Sequence, residues 1–281
     1  MEHSQTEHPQ NTNEEKGRNI SNRRRGLLKM LAVGTGAVAA APILTGNVRA
    51  TQENVKAPAV PWPYQRLNPE LAGERGYAGF YRGACCYGTF DAIISQLRET
   101  VGFPYTVMPS EMMVFGEGGV AGISSLCGAL NGASAATFLV AGGLDPKQRE
   151  AAFPLIREVF NWYEQEALPG YRPKSPKFEI KASVAHSPLC HVSVSRWCKE
   201  TGFKSFSKER AERCAWLAGS VAKYTVELLN SRLDGQFKPV HVLSPEVQAC
   251  RSCHDQGGSL ENSRGMMDCG GCHFTGKQKH P

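Results

Sequence analysis

Residues 250–273 read CRSCHDQGGSLENSRGMMDCGGCH, two C-x-x-C pairs separated by fifteen residues and each followed at once by histidine. The thiol spacing alone, Cys250, Cys253, Cys269 and Cys272, would suit a zinc ribbon. A ribbon, however, asks nothing of the residue after each pair, and here both pairs are followed by histidine, His254 and His273. With 8 His in 281 residues, that double coincidence has a chance of roughly one in a thousand, which favours the c-type haem attachment signature. In that reading each thiol pair forms thioethers to a porphyrin edge. The adjacent imidazole becomes the proximal iron ligand. The chain is expected to carry two c-type haems, bound by Cys250, Cys253, Cys269 and Cys272, with His254 and His273 on the irons.

The compartment is read from the other end. Residues 23–29, RRRGLLK, follow the twin-arginine export pattern with Arg24 and Arg25 as the pair. The segment MLAVGTGAVAAAPILTG after them is too short and too weakly apolar for a membrane span. Val48 and Ala50 then offer a small-residue cleavage site. The expectation is a signal peptide over residues 1–50, twin-arginine export to the periplasm, and membrane contact only through an uncleaved precursor. Seven of the 32 Lys/Arg and four of the 26 Asp/Glu fall in residues 1–50, leaving 25 basic and 22 acidic residues, a net charge of +3. Haem propionates would neutralise that excess, and no basic patch is interleaved with aromatics, so nucleic acid is not expected as a partner.

Four prolines between residues 57 and 70 deny a helix and predict a linker or strap over residues 51–78. Apolar residues at three- and four-residue spacing then predict helices over residues 90–101, 121–141, 146–168, 187–200 and 208–233. No alternating strand longer than four or five residues stands out. The fold class is mainly α: a helical, cysteine-rich domain over residues 79–235, then a C-terminal dihaem segment over residues 236–281 with little regular structure. That segment is rich in Gly, Ser and polar residues and lacks the apolar side chains for a core of its own. Trp62, Trp162, Trp197 and Trp216 are read as core or haem-wall packing.

Six of the 10 cysteines remain: Cys85, Cys86, Cys127, Cys190, Cys198 and Cys214. In an exported protein they could form disulfides. Their placement on helices or helix starts beside small residues equally suits a dispersed thiolate site. The order of a cysteine, then GISSLCGALNG, then CKETG, then a last cysteine on an amphipathic helix resembles the redox-active family named for its C, GCAxxG, C, C pattern. With two C-x-x-C-H units appended, the whole is similar to the split-Soret cytochromes c of sulfate-reducing bacteria, over about residues 75–275. The resemblance implies a periplasmic homodimer with redox protein partners, two bis-histidine haems per subunit, and an iron-sulfur centre of [2Fe-2S] type in the helical part.

Cys190 and Cys198 on one helix would lie about 12 Å apart along its axis at 1.5 Å per residue, too far for one small cluster. Cys198 sits in the family's CKETG context, so the expected ligands are Cys86, Cys127, Cys198 and Cys214, with Cys85 and Cys190 as substitutes. For the second axial positions of the haems, His241 and His191 are favoured over His186 and His280, with Met266 and Met267 as thioether alternatives. Bis-histidine ligation leaves no open iron, which favours an electron carrier. The rival is an oxidoreductase reducing a small molecule at an open haem.

Overall fold

The computed structural model describes residues 56–273, except for the side chains of Gly271 and Cys272. The twin-arginine segment and His280 lie outside the described residues. Residues 56–68 run extended over the helices, pinned where the Trp62 amide donates to the Leu139 carbonyl at 2.8 Å and the Trp62 ring meets Tyr105 edge-on. The strap ends earlier than the prolines suggested. Asn68 caps a helix by accepting from the Leu71 amide, and Pro69 occupies the first turn, where its missing N–H costs nothing.

That helix, α1 (Pro69–Thr100), is the spine of the domain. It is followed by two 3-10 segments, Tyr105–Val107 and Ser110–Gly116, then α2 (Gly128–Ala141) and α3 (Pro146–Gln165). A two-residue antiparallel pair, β1 (Ala167–Leu168) and β2 (Ser183–Val184), precedes α4 (Cys190–Thr201), α5 (Lys208–Leu233), α6 (Pro245–His254) and the short α7 (Gly270–His273). The mainly α expectation holds, and α5 spans the predicted residues 208–233.

Two predicted boundaries are corrected. The first half of α1 escaped the periodicity because glycines stand where apolar residues were sought. They are there for contact: a Cβ on Gly76 would come within 2.9 Å of the Ala218 carbonyl oxygen of α5. The second correction concerns residues 121–127, which are loop. Gly118, Gly119, Val120, Ala121 and Gly122 all have positive φ, as does Ser124. Left-handed backbone at a β-branched residue such as Val120 is disfavoured, so the packing of this loop overrides local preference. Backbone amides keep it bonded, Ala121 to Phe115 at 2.8 Å and Ser124 to Gly118 at 2.9 Å.

The core runs between α1, α2 and α5, with Ile93, Ile94, Leu97, Leu130, Val221 and Leu229 nearly inaccessible. Among the described residues, no helix is long and apolar enough to cross a membrane.

Candidate functional site

Three of the six thiols of the helical domain stand at helix starts. α1 is interrupted at Gly83 and Ala84, where Ala84 adopts φ 63°, and the helix restarts at Cys85. Cys127 is the residue preceding α2, and Cys190 is the first residue of α4. Helix starts present unpaired amides and the positive end of the peptide dipole, an environment that favours anionic sulfur. Cys85 and Cys190, with Cys214 of α5, line a cavity of about 550 Å3 walled by Phe80, Ala84, Phe115 and the left-handed loop.

The glycines of the C-G-A-x-x-G stretch make this convergence possible. A Cβ on Gly128 would sit 2.5 Å from the Cys85 sulfur, and Gly132 lies directly against the Cys86 carbonyl. Gly119 does the same for Cys190, whose Cβ would be 2.7 Å from a Cβ there. Glycine at these points lets α2 and the loop close on α1 at the level of the sulfurs.

The cavity wall exchanges two of the expected thiols. Cys85 and Cys190 line it, whereas Cys86 turns toward Gly116 and Cys198 sits one helix end away beside Arg210 and Arg213. The periodic reason is plain for Cys190 and Cys198: eight residues along α4 cannot both face one small space. Cys127 lies immediately behind, its charge felt by Cys85, Cys86 and Cys190. Among the described residues, no three His, Cys, Asp or Glu side chains close on a single point as a lone metal ion would require.

Burial dominates the proton affinity of these thiols. It pushes Cys85 well up, Cys86 and Cys190 up to about 12, and Cys127 up as well. At Cys127 that push is opposed by the Tyr163 hydroxyl, the Ala129 amide and Arg213. Arg213 is itself 1% exposed, and among the described residues no carboxylate pairs with it. Its Nη2 donates to Ser193 Oγ at 2.8 Å, while its Nε has no partner. A buried guanidinium without an anion is costly. The groups facing it that can become anionic are Cys214, Tyr163 and Cys127. Sulfur donors at helix starts around a buried cation therefore fit a thiolate-bound metal group better than neutral thiols.

The second site is the C-terminal segment. α6 carries Cys250, Cys253 and His254, and α7 carries Cys272 and His273. The intervening chain folds back: Leu260 donates its amide to Cys253 and Ser263 to His254, both at 2.9 Å. Cys269 is thereby brought beside Cys250, and burial followed by that neighbour raises its affinity for a proton. His254 Nδ1 lies 2.7 Å from the Asn262 side-chain oxygen, the kind of contact by which a second group orients a metal-ligating imidazole. Two clefts of about 390 and 430 Å3 separate this segment from α3. Met266 lines both and Met267 the second. Four thiols at the segment's ends, clefts alongside and an oriented imidazole fit covalent haem.

The remaining histidines fare differently. His241 Nδ1 lies 2.7 Å from Glu158 Oε1 of α3 and its Nε2 lies 3.2 Å from Oε1 of Glu166, the residue that follows α3, so both ring nitrogens are engaged. Glu158 is fully buried and also accepts from the Tyr224 hydroxyl and the Val240 amide. His191 is exposed on α4, and its backbone amide donates to Ser124. His186 is exposed in the smaller cleft with Glu164, Met266 and Asp268. Trp62, Trp197 and Trp216 are core residues, while Trp162 stacks on Tyr224 beside His241.

Arg213, Ser193, Tyr163, Glu158 and Asn262 had no motif to announce them. One signal was present: ERCAW places two charges, Glu212 and Arg213, next to a cysteine on a helix that is otherwise buried there.

Comparisons with known proteins point to redox proteins. The family model described as "Putative redox-active protein (C_GCAxxG_C_C)" matches residues 87–228. The split-Soret cytochrome c of Desulfovibrio desulfuricans is 35% identical over 221 residues, 75% of this chain and 77% of that protein. A solved structure of split-Soret cytochrome c from that organism, described by its novel iron centre, aligns with a TM-score of 0.71 at 34% identity, covering 78% of this chain and 92% of that one.

Proposed function

The chain belongs to the C_GCAxxG_C_C redox-active family and is similar over most of its length to split-Soret cytochrome c, and from this we propose that it is a dihaem c-type electron carrier with a second, iron-sulfur centre. It is a redox protein of electron transfer. The observation that carries the finer reading is the fold of the C-terminal segment, in which two C-x-x-C-H units are drawn together with Cys250 beside Cys269.

Cys250, Cys253, Cys269 and Cys272 would hold the porphyrins as thioethers, with His254 and His273 as proximal ligands. A c-type haem supplies a one-electron iron couple that cannot diffuse away. Asn262 orients His254. His241, His191 and His186 compete for the distal positions. His241 would have to give up Glu166 at Nε2 while Glu158 keeps Nδ1, the carboxylate-histidine pairing typical of metal ligands. In the helical domain, Cys85, Cys127, Cys190 and Cys214 would hold the iron-sulfur centre. Cys85, Cys190 and Cys214 line a cavity with Cys127 behind it instead of meeting at a point, which suits a [2Fe-2S] group with its own sulfides. Twin-arginine export to the periplasm, a homodimer and redox protein partners complete the proposal.

The test is the mass and spectrum of the purified mature protein. Two covalent haem additions, a bis-histidine ferrous spectrum, and non-haem iron with acid-labile sulfide are expected. An unmodified mass with bound zinc would overturn the haem reading, and rapid carbon monoxide binding to the ferrous form would replace the carrier by an open-haem oxidoreductase.

A further inference from the structure

Behind the thiol cavity, polar side chains are strung in a line that the core has no structural need for. Arg213 Nη2 and the Tyr163 hydroxyl each donate to Ser193 Oγ at 2.8 Å, and the same hydroxyl faces Cys127, whose proton affinity it lowers. All three side chains are essentially inaccessible: Arg213 1% exposed, Ser193 1% and Tyr163 0%. They come from three helices, α5, α4 and α3, and end on the residue that starts a fourth, α2.

We propose that Arg213, Ser193 and Tyr163 form a hydrogen-bond relay that delivers the buried positive charge to the Cys127 sulfur and raises the reduction potential of the iron centre held there; this rests on the iron-sulfur reading above. The relay works by turning two hydroxyls. With a neutral thiol at Cys127, Tyr163 donates to Ser193, as the short contact allows. With negative charge on the sulfur, Tyr163 donates to Cys127 and Ser193 donates to Tyr163. Arg213 donates to Ser193 in both arrangements, so no proton leaves the chain of groups. Each hydroxyl serves as donor and acceptor in turn. When one electron from a redox partner reaches the centre, negative charge on the Cys127 sulfur grows. A donor already aimed at it, with a guanidinium behind, then binds the reduced state more strongly than the oxidised one. Hydrogen bonds to sulfur and local net charge are established determinants of iron-sulfur potentials.

The unpartnered Arg213 Nε supports this account. A guanidinium kept solely for packing would be replaced at lower cost by an apolar side chain. One kept to stabilise negative charge must stay buried and incompletely paired.

The experiment is a potentiometric titration of the mature holoprotein, monitored by electron paramagnetic resonance, with the haems of the same molecule as internal reference. Tyr163→Phe removes the donor with little change of shape. Its expected effect is about a tenfold fall in the equilibrium constant for reducing the centre, from the strength of a hydrogen bond to a charged group, or ~59 mV for one electron. Ser193→Ala and Arg213→Lys should shift it in the same direction by smaller amounts, with haem potentials unmoved. A merely structural role would lower thermal stability or iron content without moving the potential of the centres that assemble. The relay is overturned if Tyr163→Phe and Ser193→Ala both carry the wild-type complement of iron and sulfide and reduce within twofold of wild type. If Tyr163→Phe fails to assemble the centre, Ser193→Ala decides by the same criterion. Absence of non-haem iron and sulfide from the wild-type protein overturns the iron-sulfur reading itself, an outcome distinct from a signal present and unshifted in every variant.

Discussion

The helical body, residues 69–233, and the tail, residues 236–273, both display cysteines, and they do so on opposite physical terms. In the body the thiols are set into a core that leaves Trp197, Tyr163 and Phe90 at most 1% exposed. The tail, among the residues whose burial is described, buries only Val247, and Cys253 lies exposed. Apolar burial at roughly 25 cal/mol per Å2 can hold the body in shape before any cofactor arrives. The tail has no such reserve, and under the proposed haem reading it would depend on what is attached to it. A site can thus be built by packing and then filled, or built by the group it binds. The proposal gives this chain one of each.

The largest expected effect tests the tail's dependence. When Cys269 and Cys272 are both replaced by Ser, the mass should show one covalent haem in place of two. Limited proteolysis should then cut within residues 255–273 while leaving 69–233 intact. An equally resistant tail would show that it folds without its second haem and would remove the contrast.

The converse perturbation belongs to the body. Gly132→Val drives a branched side chain into the Cys86 backbone, where α2 crosses α1. Overpacking of this kind costs about 3 kcal/mol. It should lower the melting temperature and the non-haem iron content while leaving both haems covalently bound. Loss of the haems in this variant would mean that the tail leans on the body more than its sparse burial implies.

His241→Ala probes the seam between the two. It strips the buried Glu158 of its imidazole partner at a cost of about 2 kcal/mol. It should also turn one haem to a high-spin or weakly ligated form with both still covalently attached. An unchanged spectrum and potential would confine His241 to holding the tail against α3 and would pass the distal position to His186 or His191.

The smallest effect is a pH dependence of the same seam. The Glu164 carboxyl is pushed up to about 7, first by burial and then by the charge of Asp268 from the tail. His186 and Glu246 share its cleft. Because the folded pKa lies above the unfolded value of about 4.3, the folded seam holds a proton that the unfolded chain releases. The resulting stability is full below about pH 4.3 and is lost as pH rises through about 7. Hydrogen exchange in residues 243–250, corrected for its intrinsic pH dependence, should reveal less protection across that window, and Glu164→Gln should flatten the trend. A trend that survives Glu164→Gln would remove Glu164 as its source.

The helices that periodicity placed well, such as α5, bury one continuous apolar face, and that face is visible in any window of the sequence. The first half of α1 was hidden because its contacts are made by glycines, which carry no apolar signal. The thiol set was legible as a set of six and as a family order. Which of them line the cavity was not, because whether Cys85 or Cys86, and Cys190 or Cys198, faces it turns on side-chain direction.

The sequence by itself determined the helical class, and it supplied the expectations of haem attachment and of export. Each is written in contiguous residues: a thiol pair with its histidine, an arginine pair with its apolar run, a repeat of apolar positions. Tertiary structure alone decided that Cys85, Cys190 and Cys214 share a cavity, and that Arg213 stands behind Cys127 without a carboxylate. These residues lie tens of positions apart, and they meet through a break at Gly83 and Ala84, a left-handed loop and glycine-mediated helix crossings. Attachment is a local covalent act, legible over five residues, whereas a buried constellation depends on the angle at which each helix meets the next.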